Sequence, residues 1–331
     1  MIDWKKDIVF IGHFALDNII VRSRNTNSES LGGGVTYGSL SAFHYNTKAK
    51  IGIISIVGND FNEKNLSIFS NTKIDLSGII RDGKNTTKYL LDYHENGRDL
   101  RLIAKARNFK IEDINYPQNF LPAKAIHLTP IADEFPSNFL HELADHSITN
   151  KSIIGIDVQG LIRDFDEEGN LTLKKNSAIR PLIFKMLKKF GSRMFFKASD
   201  KEALAVTQLG QNELVKATEI LGETGAYIFT TLGNKGLYFK APNHSVIHFN
   251  AYSPKICADE TGAGDCFMAI LLLELANLNP EERTFEKITE IIRIASAGSS
   301  FLIEEKGPKG FQSKKTIISR ITPQNEIRDK I

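Results

Sequence analysis

The sequence predicts an α/β fold in three layers, a mostly parallel sheet covered by helices on both faces, with a small antiparallel β lid. Three observations carry this reading. Short continuous apolar runs recur along the chain, amphipathic helical stretches separate them, and two more polar β-type segments stand apart from the alternation.

Residues 6–12 (KDIVFIG) form an apolar run closed by glycine, the pattern of a strand buried on both faces. Runs at 51–58, 125–129, 153–157, 193–197 and 227–231 repeat it, and helical stretches at 138–144, 180–189 and 201–209 lie between them. The polar β-type segments place the lid at about 17–31 and 86–104, two pieces far apart in sequence, with an Asn96-Gly97 hairpin signal in the second. Lids of this kind exclude water from a reaction, although a plain surface hairpin fits the same pattern. An exposed lid face also leaves room for a homodimer built through it. The tail after Gly310 is polar and reads as a terminal strand or helix with a frayed end. Residues 1–331 are read as a single domain with the lid as its appendage.

Composition narrows the partners. The net charge of +3 is nearly balanced and the basic residues are scattered, which argues against nucleic acid and against a membrane surface. The longest apolar run, near 266–278, is too short to cross a bilayer, and the first residues lack the order of a signal peptide. The two cysteines, Cys257 and Cys266, belong to no metal-spaced cluster, so a reducing, cytoplasmic setting is expected. Cys266 reads as a small packing residue, and the isolated His127 and His141 read as packing or surface residues.

The chemistry concentrates at residues 258–267 (ADETGAGDCF), where a glycine-broken turn runs straight into a strong helix former. Such a turn leaves backbone N–H groups of the first helical residues unpaired and makes an anion site. Asp265 sits at its rim, able to accept a proton from a hydroxyl while the N–H groups hold negative charge, a pairing that points to phosphoryl transfer to an alcohol. Taken by itself, Asp265 fits a helix cap equally well.

Other strand ends carry polar groups. Asp17 follows the first strand, where ligands bind in open α/β sheets. The turn at Gly32-Gly33-Gly34 opens a helix and permits close backbone approach, yet it is neither a Walker A loop nor a G-x-G-x-x-G fingerprint, which disfavours a nicotinamide dehydrogenase. Gln159 and Arg163 follow the strand ending at Asp157, and Arg163 suits a phosphate or a hydroxyl. Glu202 follows the strand ending near Lys197 and suits a hydrated metal near phosphates. The glycine-bracketed turn 230–236 offers backbone donors to a nucleotide. A solvated loop is the competing reading for each alone.

Taken together and in order, these segments resemble the PfkB family of ribokinase-like carbohydrate and nucleoside kinases over nearly the whole chain. The resemblance rests on Asp17, Gly32-Gly33, Gly58-Asn-Asp60, the lid, Glu202, Thr231-Leu-Gly233-x-x-Gly236 and, most specifically, Asp259-x-Thr261-Gly-Ala-Gly-Asp265. It implies a ribokinase-like, Rossmann-like fold and ATP-dependent phosphoryl transfer to a hydroxyl of a small polyol: a sugar, an inositol or a nucleoside. Asp265 would be the base and the amides of Gly262, Ala263 and Gly264 the anion hole. Ser199, Glu202, Thr231, Gly233 and Gly236 would serve the nucleotide, with Ala295 and Gly298 near adenine. Asp17, Gly32, Gly33, Tyr37, Gln159 and Arg163 would bind the acceptor. Glu202 would support Mg²⁺ through water, and Asp259 with Thr261 would hold K⁺ or another monovalent cation. Two positions depart from the family pattern. Ser199 stands where Asn is common, and Tyr37 stands where many sugar kinases have Asn, which with the 157–163 segment looks more like the inositol and nucleoside kinases. A non-catalytic nucleotide or sugar sensor on the same fold is the alternative, since fold does not fix function.

Overall fold

Strand β1 (Lys6–Ile11) turns Ile8 and Phe10 to one face of a sheet and Val9 and Ile11 to the other, and all four are fully buried. This two-sided burial is why its sequence is a continuous apolar run instead of an alternating one. The computed structural model describes residues 2–22, 26–95, 97–115, 120–146, 149–174 and 176–322. After β1 the chain forms β2 (Ala15–Val21), β3 (Thr26–Gly32), α1 (Gly34–Tyr45), β4 (Ile51–Val57), β5 (Asp75–Arg81), β6 (Thr87–His94), β7 (Gly97–Ala104), β8 (Ala123–Leu128), α2 (Ser137–Asp145), β9 (Ile153–Asp157), α3 (Gln159–Ile162), β10 (Arg163–Phe165) and β11 (Leu171–Leu173). It continues with α4 (Asn176–Phe190), β12 (Met194–Ser199), α5 (Asp200–Thr207), α6 (Leu214–Gly222), β13 (Tyr227–Thr231), β14 (Leu237–Lys240), β15 (Ile247–Phe249), α7 (Ala263–Ala276), α8 (Phe285–Leu302) and α9 (Lys314–Ser319).

Among the described residues the main sheet has nine strands in the order β15-β14-β13-β12-β9-β8-β1-β4-β5. Strands β13 through β5 in that order run parallel, and β14 and β15 add an antiparallel edge. One face packs Ile8, Phe10, Ala125 and Phe229 against α1, α7 and α8; the other packs Val9, Ile11, Ile126 and Ile228 against α2, α4, α5 and α6. Helix α7 is buried from Cys266 to Leu273, which accounts for its unbroken apolar sequence. The six expected buried strands are all present, whereas β5 and the β14–β15 edge lacked a clear pattern because edge strands are short and partly polar.

The lid is a second sheet, ordered β3-β2-β6-β7. Each of its two segments is an antiparallel hairpin, and β2 and β6 join them in parallel. Asn96 of the predicted turn lies outside the described residues, as does Arg24; His94 pairs with Gly97 across the turn. The tail forms α9, and residues beyond 322 lie outside the description. His127 is buried edge-on to Phe10 with neither ring nitrogen hydrogen-bonded among the described residues, and burial lowers its pKa to about 3. Cys266 is buried and Cys257 exposed. No helix among the described residues is long and apolar enough to cross a membrane.

Candidate active site

Parallel strands deliver all their carboxyl ends to one edge of the sheet, and the loops after β1, β8, β9, β12 and β13 gather there. Gly262 caps α7 in the left-handed conformation (φ 80°, ψ 0°), a backbone that costs a side-chain-bearing residue about 1–2 kcal/mol. No side chain caps this helix. The N–H groups of Gly262, Gly264 and Asp265 have no acceptor among the described residues, while that of Ala263 donates to the Glu260 carbonyl at 3.3 Å. Of the amides expected at 262–264 to hold an anion, those of Gly262 and Gly264 are unpaired, as is that of Asp265.

Asp265 is recessed but partly accessible. A Cβ placed on Gly34 would lie 2.7 Å from Asp265 Oδ1 and 2.7 Å from Thr129 Cβ, so the start of α1 meets the start of α7 at this carboxylate. Burial, reinforced by Asp157, pushes the Asp265 carboxyl up to about 7, against the opposing pull of Lys197 and Arg163.

Beneath the turn lies a buried ion pair, Lys197 with Asp157, brought side by side because β12 neighbours β9. A Cβ on Gly264 would sit 2.6 Å from Lys197 Nζ. Burial works against the ammonium, yet Asp157, Glu202 and Asp265 together raise its pKa. Burial and Asp157 likewise raise the Glu202 carboxyl, with Lys197 acting the other way. Neither member of the pair stood out in the sequence. Each reads as the polar end of a strand, and only the strand order joins residues forty positions apart.

Ser199 and Glu202 form a reciprocal capping box on α5: Glu202 Oε2 accepts the Ser199 N–H at 2.7 Å, and Ser199 Oγ accepts the Glu202 N–H at 3.3 Å. Serine thus performs the capping that asparagine performs equally well. The Thr231–Gly236 turn closes with a Leu232 N–H to Gly236 carbonyl bond of 2.8 Å. Beside it, a cavity of about 200 Å³ is lined by Phe249, Asn250, Tyr252, Arg293 and Ser296. Ala295 and Gly298 are not on its wall. Ala295 is fully buried, and a side chain at Gly298 would collide with Ile270, so both are small because α8 packs against α7 there. Arg293, Ser296 and Ser299 of α8 are accessible, and Ser299 Oγ donates to the Ala263 carbonyl at 2.9 Å.

On the lid sheet Asp17 stands on β2, opposite Ser30 of β3 and Tyr89 of β6, with its carboxylate against Gly32. Tyr37 is buried, its ring pressed on Gly262, and burial with Asp259, Asp17 and Asp265 nearby raises its pKa. It underpins the turn of α7 more than it walls the cleft. Arg163 Nη1 donates to the Ile131 carbonyl at 3.0 Å, and Tyr89 donates its hydroxyl to the same oxygen at 2.7 Å. Gln159 is partly exposed at the head of α3. The buried Glu134 carboxylate accepts the N–H groups of His13, Ile131 and Ala132, tying the β1–lid junction to the loop after β8. Asp60 accepts the N–H and hydroxyl of Thr86 at 2.7 Å each and pairs with Lys88, which anchors the second lid segment.

Asp259 Oδ1 accepts the N–H and hydroxyl of Thr261, and Oδ2 accepts the Gly307 N–H. Among the described residues no group of three or more His, Cys, Asp or Glu side chains is arranged to hold a metal directly. A divalent ion here fits only as a hydrated ion shared with phosphates.

A model described as the pfkB family carbohydrate kinase matches residues 181–315, which include α5, the 231–236 turn and the Asp259–Asp265 motif. A cytidine kinase from Thermococcus kodakarensis is 26% identical over 295 residues, covering 87% of this chain and 96% of that protein. Three solved structures share the fold at lower identity. A ribokinase from Giardia lamblia has a TM-score of 0.76 at 16% identity, over 95% of this chain and 98% of that one. A pyrophosphate-dependent kinase in the ribokinase family, solved with sulfate, has 0.72 at 22%, over 95% and 100%. A nucleoside kinase from Methanocaldococcus jannaschii has 0.67 at 17%, over 96% and 98%.

Proposed function

Because the chain carries a pfkB family carbohydrate kinase domain, we propose that it transfers a phosphoryl group from ATP to a hydroxyl of a small polyol, with a nucleoside as the favoured acceptor. The observation that carries this reading is Asp265: a recessed carboxylate with a pKa near 7, at a helix start with unpaired N–H groups, touching the second glycine turn. The preference for a nucleoside rests on the cytidine kinase relative.

In this reading Asp17 and the Gly32–Gly33 backbone orient the acceptor, and Arg163, pinned by the Ile131 carbonyl, presents its remaining N–H groups to the cleft. Asp265 accepts the proton of the attacking hydroxyl. The N–H groups of Gly262, Gly264 and Asp265 hold the charge on the transferring group, and positioning of this kind supplies most of the rate when the transition state is loose. The Thr231–Gly236 turn and the cavity beside Arg293 and Ser296 hold the nucleotide. Glu202 would hold Mg²⁺ through water and Asp259 with Thr261 a monovalent cation; the divalent ion neutralises phosphate charge when bound. The lid covers the acceptor.

The test is ADP release from ATP, and phosphate release when pyrophosphate replaces it as donor, with cytidine, other nucleosides, ribose and myo-inositol as acceptors, in the native chain and in Asp265→Asn. Turnover should depend on the acceptor and fall by about 10²–10⁴ in the variant. No stimulated release with any acceptor would favour the sensor; undiminished turnover in the variant would remove Asp265 as the base.

A further inference from the structure

The chain that leads into the Asp259–Asp265 motif has little structure of its own. Residues 253–257 belong to no helix or strand, and Ser253, Lys255, Ile256 and Cys257 are exposed. Among the described residues one backbone N–H of this segment finds a partner: that of Lys255, which donates to Glu304 Oε1 at 2.6 Å. The same oxygen accepts Nη2 of Arg320, at the end of α9, at 2.7 Å. The Arg320 side chain is 7% exposed and that of Glu304 16%, so the pair is largely out of water. Arg320 also donates Nη1 to Ser300 Oγ at 2.9 Å and lays its guanidinium on the Phe301 ring at 3.3 Å. Held on three sides, the guanidinium fixes the carboxylate in turn.

From Glu304 the ties continue toward the motif. The Ile303 carbonyl accepts the N–H groups of Ala258 at 2.8 Å and Asp259 at 3.3 Å, Gly307 donates to Asp259 Oδ2, and Ser299 Oγ holds the Ala263 carbonyl. Residues 255–263 therefore lie along the end of α8, secured at Lys255 on one side and at Ala263 on the other. The amides of Gly262, Gly264 and Asp265 serve an anion only while they converge on one point, and a shift of about 1 Å costs about 10²-fold in rate. We propose that Glu304 is a positioning residue for this turn, acting through the Lys255 N–H and itself held by Arg320. The inference rests on the reading of the 262–265 amides as the site of the transferring phosphate. A carboxylate suits the place because one oxygen serves a charged and a neutral donor together, and an ionised partner makes each bond stronger. Helix α9 thereby reaches the reaction through two side chains.

The experiment is calorimetric titration of the full chain with pyrophosphate, together with steady-state kinetics on the best acceptor, in the native protein and four variants checked for native circular dichroism. Glu304→Ala removes the partner oxygen of the Lys255 N–H. Lys255→Pro removes the N–H itself and leaves the ion pair with Arg320 in place. Glu304→Gln keeps an oxygen for the Lys255 N–H. Lys314→Ala breaks another ion pair of α9, with Glu274 of α7 at 2.7 Å, and leaves the 255–263 segment alone. Pyrophosphate affinity and kcat should each fall at least about tenfold in Glu304→Ala and Lys255→Pro and stay within about threefold of native in Glu304→Gln and Lys314→Ala, with the KM of the acceptor unchanged throughout. A pair that merely stabilised the fold would lower the melting temperature without this split. Undiminished pyrophosphate affinity in either Glu304→Ala or Lys255→Pro would overturn the proposal, as would an equal loss in Lys314→Ala or a native chain that binds no pyrophosphate at millimolar concentration. Variants that lose pyrophosphate while the native chain phosphorylates no polyol would fail only the kinase reading.

Discussion

Asp265 and Gly34 are in contact across the cleft, with no room between them for a side chain at position 34. Gly34 is the first residue of α1 and has an ordinary helical backbone, so alanine is conformationally acceptable there. A methyl group would nevertheless push the Asp265 carboxylate aside. The Gly34→Ala variant should keep native circular dichroism and lose turnover by about 10²-fold, the usual cost of displacing a reacting group by about 1 Å. Steady-state kinetics should show the loss in kcat more than in the KM of the donor.

The raised pKa of Asp265 sets two pH dependences of opposite sense. As a base it acts ionised, so kcat/KM should rise with pH along an acidic limb near 7. For stability, the unfolded carboxyl ionises near 4 while the folded one keeps its proton to about 7. Between those values the folded state binds the extra proton, so this group favours folding at low pH and its contribution declines as pH rises through that window. Asp265→Asn removes the buried charge and should melt about 2–4 °C higher than the native chain at pH 8, with no difference at pH 4. Scanning calorimetry at the two pH values checks the sign.

The Lys197–Asp157 pair should be separable into a stability effect shared by both members and a pH effect that is not. Breaking a buried pair from either side leaves a stranded charge and costs about 3–5 kcal/mol. Asp157 raises the Asp265 pKa and Lys197 lowers it. The acidic limb of the rate profile should therefore move to lower pH in Asp157→Asn and to higher pH in Lys197→Met. The double variant should recover part of the lost stability, since the coupling term disappears with the pair.

Much of this site could be read from sequence because its parts are local. The 259–265 motif, the 32–34 turn and the 231–236 turn each span a few residues, and their spacing alone announces a backbone geometry. What escaped notice was joined only by strand order. Lys197 and Asp157 meet because β12 lies beside β9, and Gly34 meets Asp265 because α1 and α7 cover the same face. Ala295 and Gly298 show the converse. Small residues on a helix suit a ligand's approach and a neighbouring helix equally; at Gly298 Ile270 fills the space a side chain would need, and Ala295 is fully buried. Tyr37 likewise is buried with its ring against Gly262, a contact that no local pattern announces.

Glu134 gives the mouth of the cleft a particular kind of stiffness. One carboxylate serves as acceptor for amides on two separate loops, so the 131–134 loop cannot open without stripping His13, Ile131 and Ala132 of their partner together. Those three amides should exchange with solvent deuterium slowly and at a common rate, the rate of a cooperative opening event.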